Sequence, residues 1–447
     1  LEITLDKKST TEGLIKIRLG QPDYQPGVEE KVRTYARKAN LKGFRQGKVP
    51  TGVIRQMFGK SILVEEVNQI LSNKLSDYIK ENKLRIIGEP LPNLEKANAL
   101  DWEGAADLEF EYQVGLVDDF TYELSPKIKL PYYPIEVSDA VVEETLADIR
   151  KRFGKVTHPE ISETGDSLIG DLRSADETFQ RENVIIKTET LSKKYQDFFL
   201  NRKPQDEITL EIEKVFDTDA LSKMLNISAE EAKQLSGKFT FNVVSIGRVE
   251  LAELNTTLFD RVFGKDTVTT AEEFIAKVKE TIQQNYKRES DHFLDHEIED
   301  HFIRTTKINL PEAFLKTWLV HSSKGEITEE VISREFDGYL RTLKWDLIKN
   351  RIAEDLAVTV DTEEVRARAK ELIISQFGGP SVAGQLMDKI DAIADNYLSH
   401  ENGQHFMRLY NQLRNEKILS LIREKVTLTE KKVTLDEFRK IVEEHKH

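Results

Sequence analysis

The residues whose types and spacing could do chemistry fall in two places. The stretch Gly43-Phe44-Arg45-Gln46-Gly47-Lys48-Val49-Pro50 sets an aromatic ring and a guanidinium between two glycines, with a lysine following. Glycine lets a chain turn sharply, and proline is preorganised for the first position of a helix. Phe44 and Arg45 are therefore expected at the tip of an exposed loop between two helices. Arginine pairs with phosphates and stacks on flat rings, so such a tip suits contact with protein or RNA. Nucleotide binding is excluded here. The glycines are separated by three residues instead of the four of a P-loop, and Val49 stands where magnesium needs a hydroxyl. The second place is a set of histidines. His292 and His296 share a helix face, and His296 to His301 reads H-E-x-x-x-H. On a regular helix, positions five apart diverge by about 140°, so one zinc ion does not take both. These histidines are read as structural or adventitious. No metal, no cofactor and no Gly-x-Ser-x-Gly nucleophile motif is expected.

The elements around the loop sharpen its reading. Between Lys31 and Lys60 the basic residues are Lys31, Arg33, Arg37, Lys38, Lys42, Arg45, Lys48, Arg55 and Lys60, with no acid among them. This window carries +9 in a chain of net charge −14, leaving −23 on the rest. A basic island in an acidic chain is an electrostatic address for an anionic partner. The pattern predicts a basic helix over 28–41, a short helix over 51–58, and a long helix capped by Ser61 running to about 82. Gln21 to Pro26 reads as a turn. Residues 12–19 alternate Ile15, Ile17 and Leu19 against Lys16 and Arg18, and 107–115 alternate Leu108, Phe110 and Tyr112 against acids. Both are strands. The first domain, 1–115, is thus α+β, an antiparallel sheet with helices on one side.

The chain's 447 residues suggest about three domains. With no cysteine there is no disulfide framework and no thiol chemistry. No signal peptide is seen at the start, which lacks Met, so a trimmed or replaced terminus is expected. No apolar run is long enough for a membrane span, and no membrane partner is expected.

The GFRQGKVP stretch, its place near the N-terminus between basic helices, and the order of segments along essentially the whole chain resemble trigger factor, a bacterial chaperone family that meets nascent chains at the ribosomal tunnel exit. The resemblance implies that Gly43, Phe44, Arg45, Gly47, Lys48 and Pro50, with the basic neighbours Arg37, Lys38 and Lys42, dock on the large ribosomal subunit. Their partners would be a tunnel-exit protein and ribosomal RNA. Gln46 departs from members that carry a basic residue there, which should weaken docking without abolishing it. The resemblance also implies a multidomain α+β architecture and a cytoplasmic, ribosome-associated protein that acts without ATP on nascent and unfolded polypeptides, assisting folding and export. The resemblance also allows a homodimer off the ribosome.

Residues 116–158 read as a Pro-marked extended arm, followed by a helix from Asp139 to Phe153 capped by Ser138. Residues 159–248 resemble the prolyl-isomerase module of that family, similar to the FK506-binding proteins and β-rich. Strands are expected at 167–172, 184–186, 208–212 and 238–244, with a helix at 229–235. Such isomerases hold the proline ring in an aromatic-lined pocket, and desolvation helps lower a rotation barrier of about 18–20 kcal/mol. This chain departs from that pattern. Asp171 is followed by Leu172 where the family has an aromatic, and Lys193-Lys194 replaces a Pro-Gly turn before Tyr195. Asp171, Phe179, Tyr195 and Phe241 remain as catalytic candidates in a degenerate module with little or no activity expected. A working peptidyl-prolyl isomerase is the alternative reading.

Residues 249–447 read as helical. Helices are expected at 271–305, from Leu310-Pro311 onward, at 328–357, from 361 or 362 to about 377 ended by Gly378-Gly379-Pro380, and at 383–398, 402–425 and 434–444. By resemblance this region binds clients.

Overall fold

In the computed structural model, the residues described are 1–447 without 43, 46, 103–106, 324–325, 377–388 and 446–447. The Gly378-Gly379-Pro380 stop and the first turns of the helix expected at 383–398 lie outside them. The chain forms two units, each built from three separate segments.

The first unit comprises Leu1–Pro131, Leu294–Asp361 and Met407–Thr429. Its sheet follows from alternation. In strand β2 (Glu12–Gly20), Ile15, Ile17 and Leu19 are wholly buried, flanked by β1 (Glu2–Lys7). Strands β3 (Ile86–Pro92) and β4 (Asp107–Leu116) complete an antiparallel sheet of order β1-β2-β4-β3, with Ile17 opposite Phe110. Helices α1 (Gln21–Lys38) and α2 (Thr51–Glu81) bury their apolar stripes on it.

Three local expectations are corrected here. Helix α1 starts at Gln21 instead of Val28, because the stripe Tyr24, Val28, Val32, Ala36 already begins there. Pro22 sits in the first turn, where backbone N–H groups lack helical acceptors anyway. The two helices expected after Pro50 are one. The buried Ile54, Ile62, Val67, Leu71 and Leu75 keep a continuous stripe through Ser61, so tertiary packing overrides its capping tendency. Finally, Glu111 in β4 does not face solvent. It is buried beneath Lys96 and Asn93, both of which bond its carboxylate. The Lys96 ammonium holds this carboxyl below its usual range against the effect of burial.

The same unit recruits helices from far along the chain. Helix Glu312–Ser322 lies on β3 and β4, and two glycines make room for it. A Cβ at Gly115 would stand 2.5 Å from the Phe314 ring, and one at Gly88 would stand 3.0 Å from the Trp318 indole. The arm after β4 is held by helix Glu329–Asp355. Asp119 pairs with Arg85 and Arg351, and the Tyr122 hydroxyl donates to Asp355. Burial and the Asp355 carboxylate push the Tyr122 phenol up to about 12. Strand β5 (Lys129–Tyr132) then pairs with the strand Thr427–Glu430, which the sequence pattern did not reveal.

The second unit comprises Tyr132–Phe293, Thr362–Phe406 and Glu430–His447. It holds a five-stranded antiparallel sheet of β6 (Lys155–Thr157), β7 (Ser167–Ser174), β8 (Gln180–Lys187), β9 (Glu207–Glu211) and β10 (Lys238–Glu250). The long β10 pairs with β6, β7 and β9. The buried Asp166 fastens β10 to the start of β7, accepting from Arg248 at 2.8 and 2.9 Å and from the Glu163 N–H. Burial alone would raise its pKa, but the guanidinium and that N–H outweigh it and hold the carboxyl below its ordinary value. Outside the sheet, helix Asp139–Arg152 is capped by Ser138 and packs with Thr256–Phe263 and the start of Ala271–Thr305, where Phe259 and Phe274 stack at 4.7 Å. Ile135 of the arm joins Phe293, Val433 and Phe438 in a further core. Among the described residues no helix is long and apolar enough to cross a membrane.

Candidate functional site

The loop between α1 and α2 is built to hold its tip outward. The Phe44 N–H donates to Leu41 O, and the Lys48 N–H donates to Arg45 O, closing a tight turn. Gly47 takes a left-handed φ of +77°, which strains any side chain. Just beyond it Val49 is buried and ties the loop to the domain core, and Pro50 occupies the N-cap of α2, one residue earlier than the helical position expected for it. The result is that Phe44 stands 40% exposed with Arg45 exposed beside it. Gly43 and Gln46 lie outside the described residues.

The fold redistributes the charge of the basic window. Lys31 bonds Glu65 at 2.9 Å and Glu66 at 3.1 Å, and these contacts raise its pKa. Arg33 and Arg55 both reach Glu29, at 3.9 and 3.7 Å. Three of the nine cations are thus neutralised by acids lying just outside the window. Arg37, Lys38, Lys42, Arg45, Lys48 and Lys60 are exposed and have no carboxylate partner among the described residues. Five of these six belong to the end of α1 and the loop, so the effective positive field is concentrated at the tip.

Two residues escaped the sequence reading. Met57 is 56% exposed and Phe58 is 37% exposed, on the second turn of α2. They are exposed large apolar side chains within the same acid-free window. The signal available in the sequence was a pair of large apolar residues inside the acid-free window.

The catalytic candidates of the middle module are not assembled. Phe241 is wholly buried on β10 and packs against Phe199, with ring centroids 6.3 Å apart. Phe179 packs against Phe239 at 6.0 Å. Asp171 accepts from the Asn183 N–H. Tyr195 alone borders a cleft, of about 250 Å³, shared with Phe198, Leu210 and Val215. The Lys194 ammonium sits 5.1 Å above the Tyr195 ring. Asp171, Phe179 and Phe241 do not line that cleft, so the four candidates form no common proline pocket among the described residues. Lys193 and Lys194 begin a helical turn, Lys193–Gln196. The expected outcome of a prolyl-isomerisation assay with the full chain and a short proline peptide is a rate indistinguishable from background. A rate rising in proportion to protein concentration would contradict it.

In the helical region the large apolar residues left exposed are scattered. Among the described residues of 249–447 they are Leu251, Ile275, Val320 and Met407. His292, His296 and His301 lie on one uninterrupted helix, Ala271–Thr305.

Three protein-family descriptions match the chain in succession. These are the bacterial trigger factor protein over residues 1–149, the trigger factor FKBP-like domain over 156–251, and the trigger factor C-terminal domain over 290–442. Among similar curated proteins, the trigger factor of Chlorobaculum parvum is 25% identical, the match covering 96% of this chain and 97% of that protein. That of Chloroherpeton thalassium is 24% identical over 83% of this chain and 87% of that protein. A solved structure of the trigger factor chaperone, described for promiscuous substrate recognition, superposes with a TM-score of 0.48 at 15% identity. It covers 94% of this chain and 99% of its own.

Proposed function

The chain belongs to the trigger factor family, and on that premise we propose that this chaperone docks at the ribosomal tunnel exit through residues 43–50 and shelters emerging polypeptides without ATP. The observation that carries this reading is the tip itself. Phe44 and Arg45 are held outward on a turn anchored by Gly47 and Val49, amid cations that no carboxylate of the described residues neutralises. An aromatic and an arginine at the centre of a contact are the residue types that dominate binding energy. The surrounding lysines and arginines supply long-range attraction to ribosomal RNA. Client binding is assigned to the helical region, where isolated exposed apolar side chains suit weak, many-point contact and spontaneous release better than one deep pocket would.

The electrostatic part of the proposal has a direct test. If about four of the exposed cations meet phosphates, ribosome affinity falls by roughly 50-fold between 50 and 200 mM salt. Measuring binding of the intact protein to bacterial ribosomes across that range gives the slope. An affinity independent of salt would remove RNA from the contact.

A further inference from the structure

The sequence Ala271–Thr305 contains one H-E-x-x-x-H pattern, and the chain contains a second, His400-Glu401-Asn402-Gly403-Gln404-His405. Backbone geometry separates them. The first runs along a continuous helix, so its two imidazoles diverge. In the second the helix is broken. His400 is extended at ψ 148°, and Glu401, Asn402 and Gly403 follow at φ of 53°, 57° and 82°. These three left-handed residues fold the chain back, and the His400 and His405 rings come to lie 5.4 Å apart, nearly parallel at 27°. One ligand atom each from His400, Glu401 and His405 lies within 4.8 Å of the others.

The tautomer of the neutral His405 ring is set by its neighbour. Its Nδ1 is 3.1 Å from the Tyr397 carbonyl oxygen, which only accepts, so Nδ1 carries the proton. Nε2 is then the free lone pair, and a carbonyl on the far nitrogen is the support that metal-binding histidines use for orientation. The ring also rests on Tyr397, at 4.4 Å between centroids, which fixes its plane. His400 and Glu401 are exposed, with side-chain accessibilities of 64% and 56%. They are therefore able to rotate inward by the at most about 1.4 Å that separates the present spacing from the ~3.4 Å between ligands of a tetrahedral zinc with bonds of about 2.1 Å. The fourth position faces solvent and takes water.

We propose that His400, Glu401 and His405 form a binding site for a borderline-soft divalent metal ion of the zinc class, cross-linking the two sides of the helix break. Two imidazoles and one carboxylate select zinc over magnesium or calcium, which prefer all-oxygen shells. The site departs from the sequence expectation of no metal, and the reason is local. The spacing excludes a shared ion only when the helix is continuous.

The test is titration of the full chain with Zn²⁺ against a competing chromophoric chelator, with Co²⁺ absorption as a second readout. One equivalent per chain is expected, with tetrahedral cobalt bands. His405→Gln should lower affinity by about 30-fold, and the exposed His400→Gln and Glu401→Gln by about tenfold or more. Circular dichroism checks that each variant is folded, and His400→Gln keeps the test valid if His405→Gln is not. A variant with His445→Gln and His447→Gln near the C-terminus should bind as the parent does. The proposal is overturned if the parent takes up no zinc at tens of micromolar, if the His400→Gln, His405→Gln double variant binds like the parent, or if the C-terminal variant abolishes uptake, which would mean an adventitious ion only.

Discussion

Gly170→Val should strongly destabilise the middle module while leaving the N-terminal sheet intact. A Cβ at Gly170 in β7 would stand 2.1 Å from the Asn242 carbonyl oxygen, 3.0 Å from the Asn242 carbonyl carbon and 2.7 Å from Cζ of Phe241. Two of these three atoms are backbone, in the strand that pairs with β7 on one side and β9 on the other. β10 has no direction in which to yield without breaking one of those ladders. Phe241 is wholly buried against Phe199, so its ring cannot swing away either. Overpacking of this kind costs about 3 kcal/mol, and for a module of this size that lowers the melting temperature by roughly 10–20 °C. Val244→Ala, on the same strand but 50% exposed, serves as the control and should stay within about 0.5 kcal/mol of the parent. Scanning calorimetry distinguishes the two. A Gly170→Val transition within 2 °C of the parent would show that β7 and β10 are not packed as described. Because residues 43–50, the proposed docking loop, belong to the other unit, destabilising the module should not change ribosome affinity.

The second large effect is expected at the loop. Phe44→Ala with Arg45→Ala removes the aromatic and the guanidinium from the centre of the basic tip. Central residues of these types commonly account for tenfold to a hundredfold each in binding, so the double variant should bind ribosomes at least 30-fold more weakly. Folding should survive, since Phe44 is 40% exposed and Val49, which ties the loop down, is untouched. The salt slope should also flatten by about one unit, the share of a single phosphate contact. Changing Lys31 instead should do less, because Glu65 and Glu66 already neutralise it.

Much of the local structure was legible because it repeats with a period. Alternation marked β2 and β4, and Thr328 and Ser138 marked their helix starts correctly, each accepting from an N–H three residues on. The helix Ala271–Thr305 matched its apolar spacing end to end. Strand β3 was not anticipated, since Gly88, Pro90 and Pro92 interrupt any strand-like alternation. Prolines are tolerated there because β3 is an edge strand. What depends on distant parts of the chain left no local mark. Nothing near Gly115 in sequence announces that Phe314 will pack on it, so the recruitment of a C-terminal helix onto the N-terminal sheet was invisible. The loop shows the same limit at the scale of charge. Its residues and conformation could be read from two glycines and a proline, but a linear window of +9 overstated the field. Glu29, Glu65 and Glu66 lie outside that window in sequence and beside it in space. In the middle module, the four candidates looked like a pocket only as residue types. Phe179 and Phe241 are instead spent on ring pairs inside the core.

The measurement that bears most directly on the docking claim is co-sedimentation of the parent and the Phe44→Ala, Arg45→Ala variant with bacterial ribosomes at low and physiological salt. The prediction is a parent that pellets with ribosomes and releases as salt rises, and a folded variant that stays in the supernatant under both conditions. If the folded variant pellets as the parent does, the loop is not the docking site, and the exposed cations around it serve some other contact.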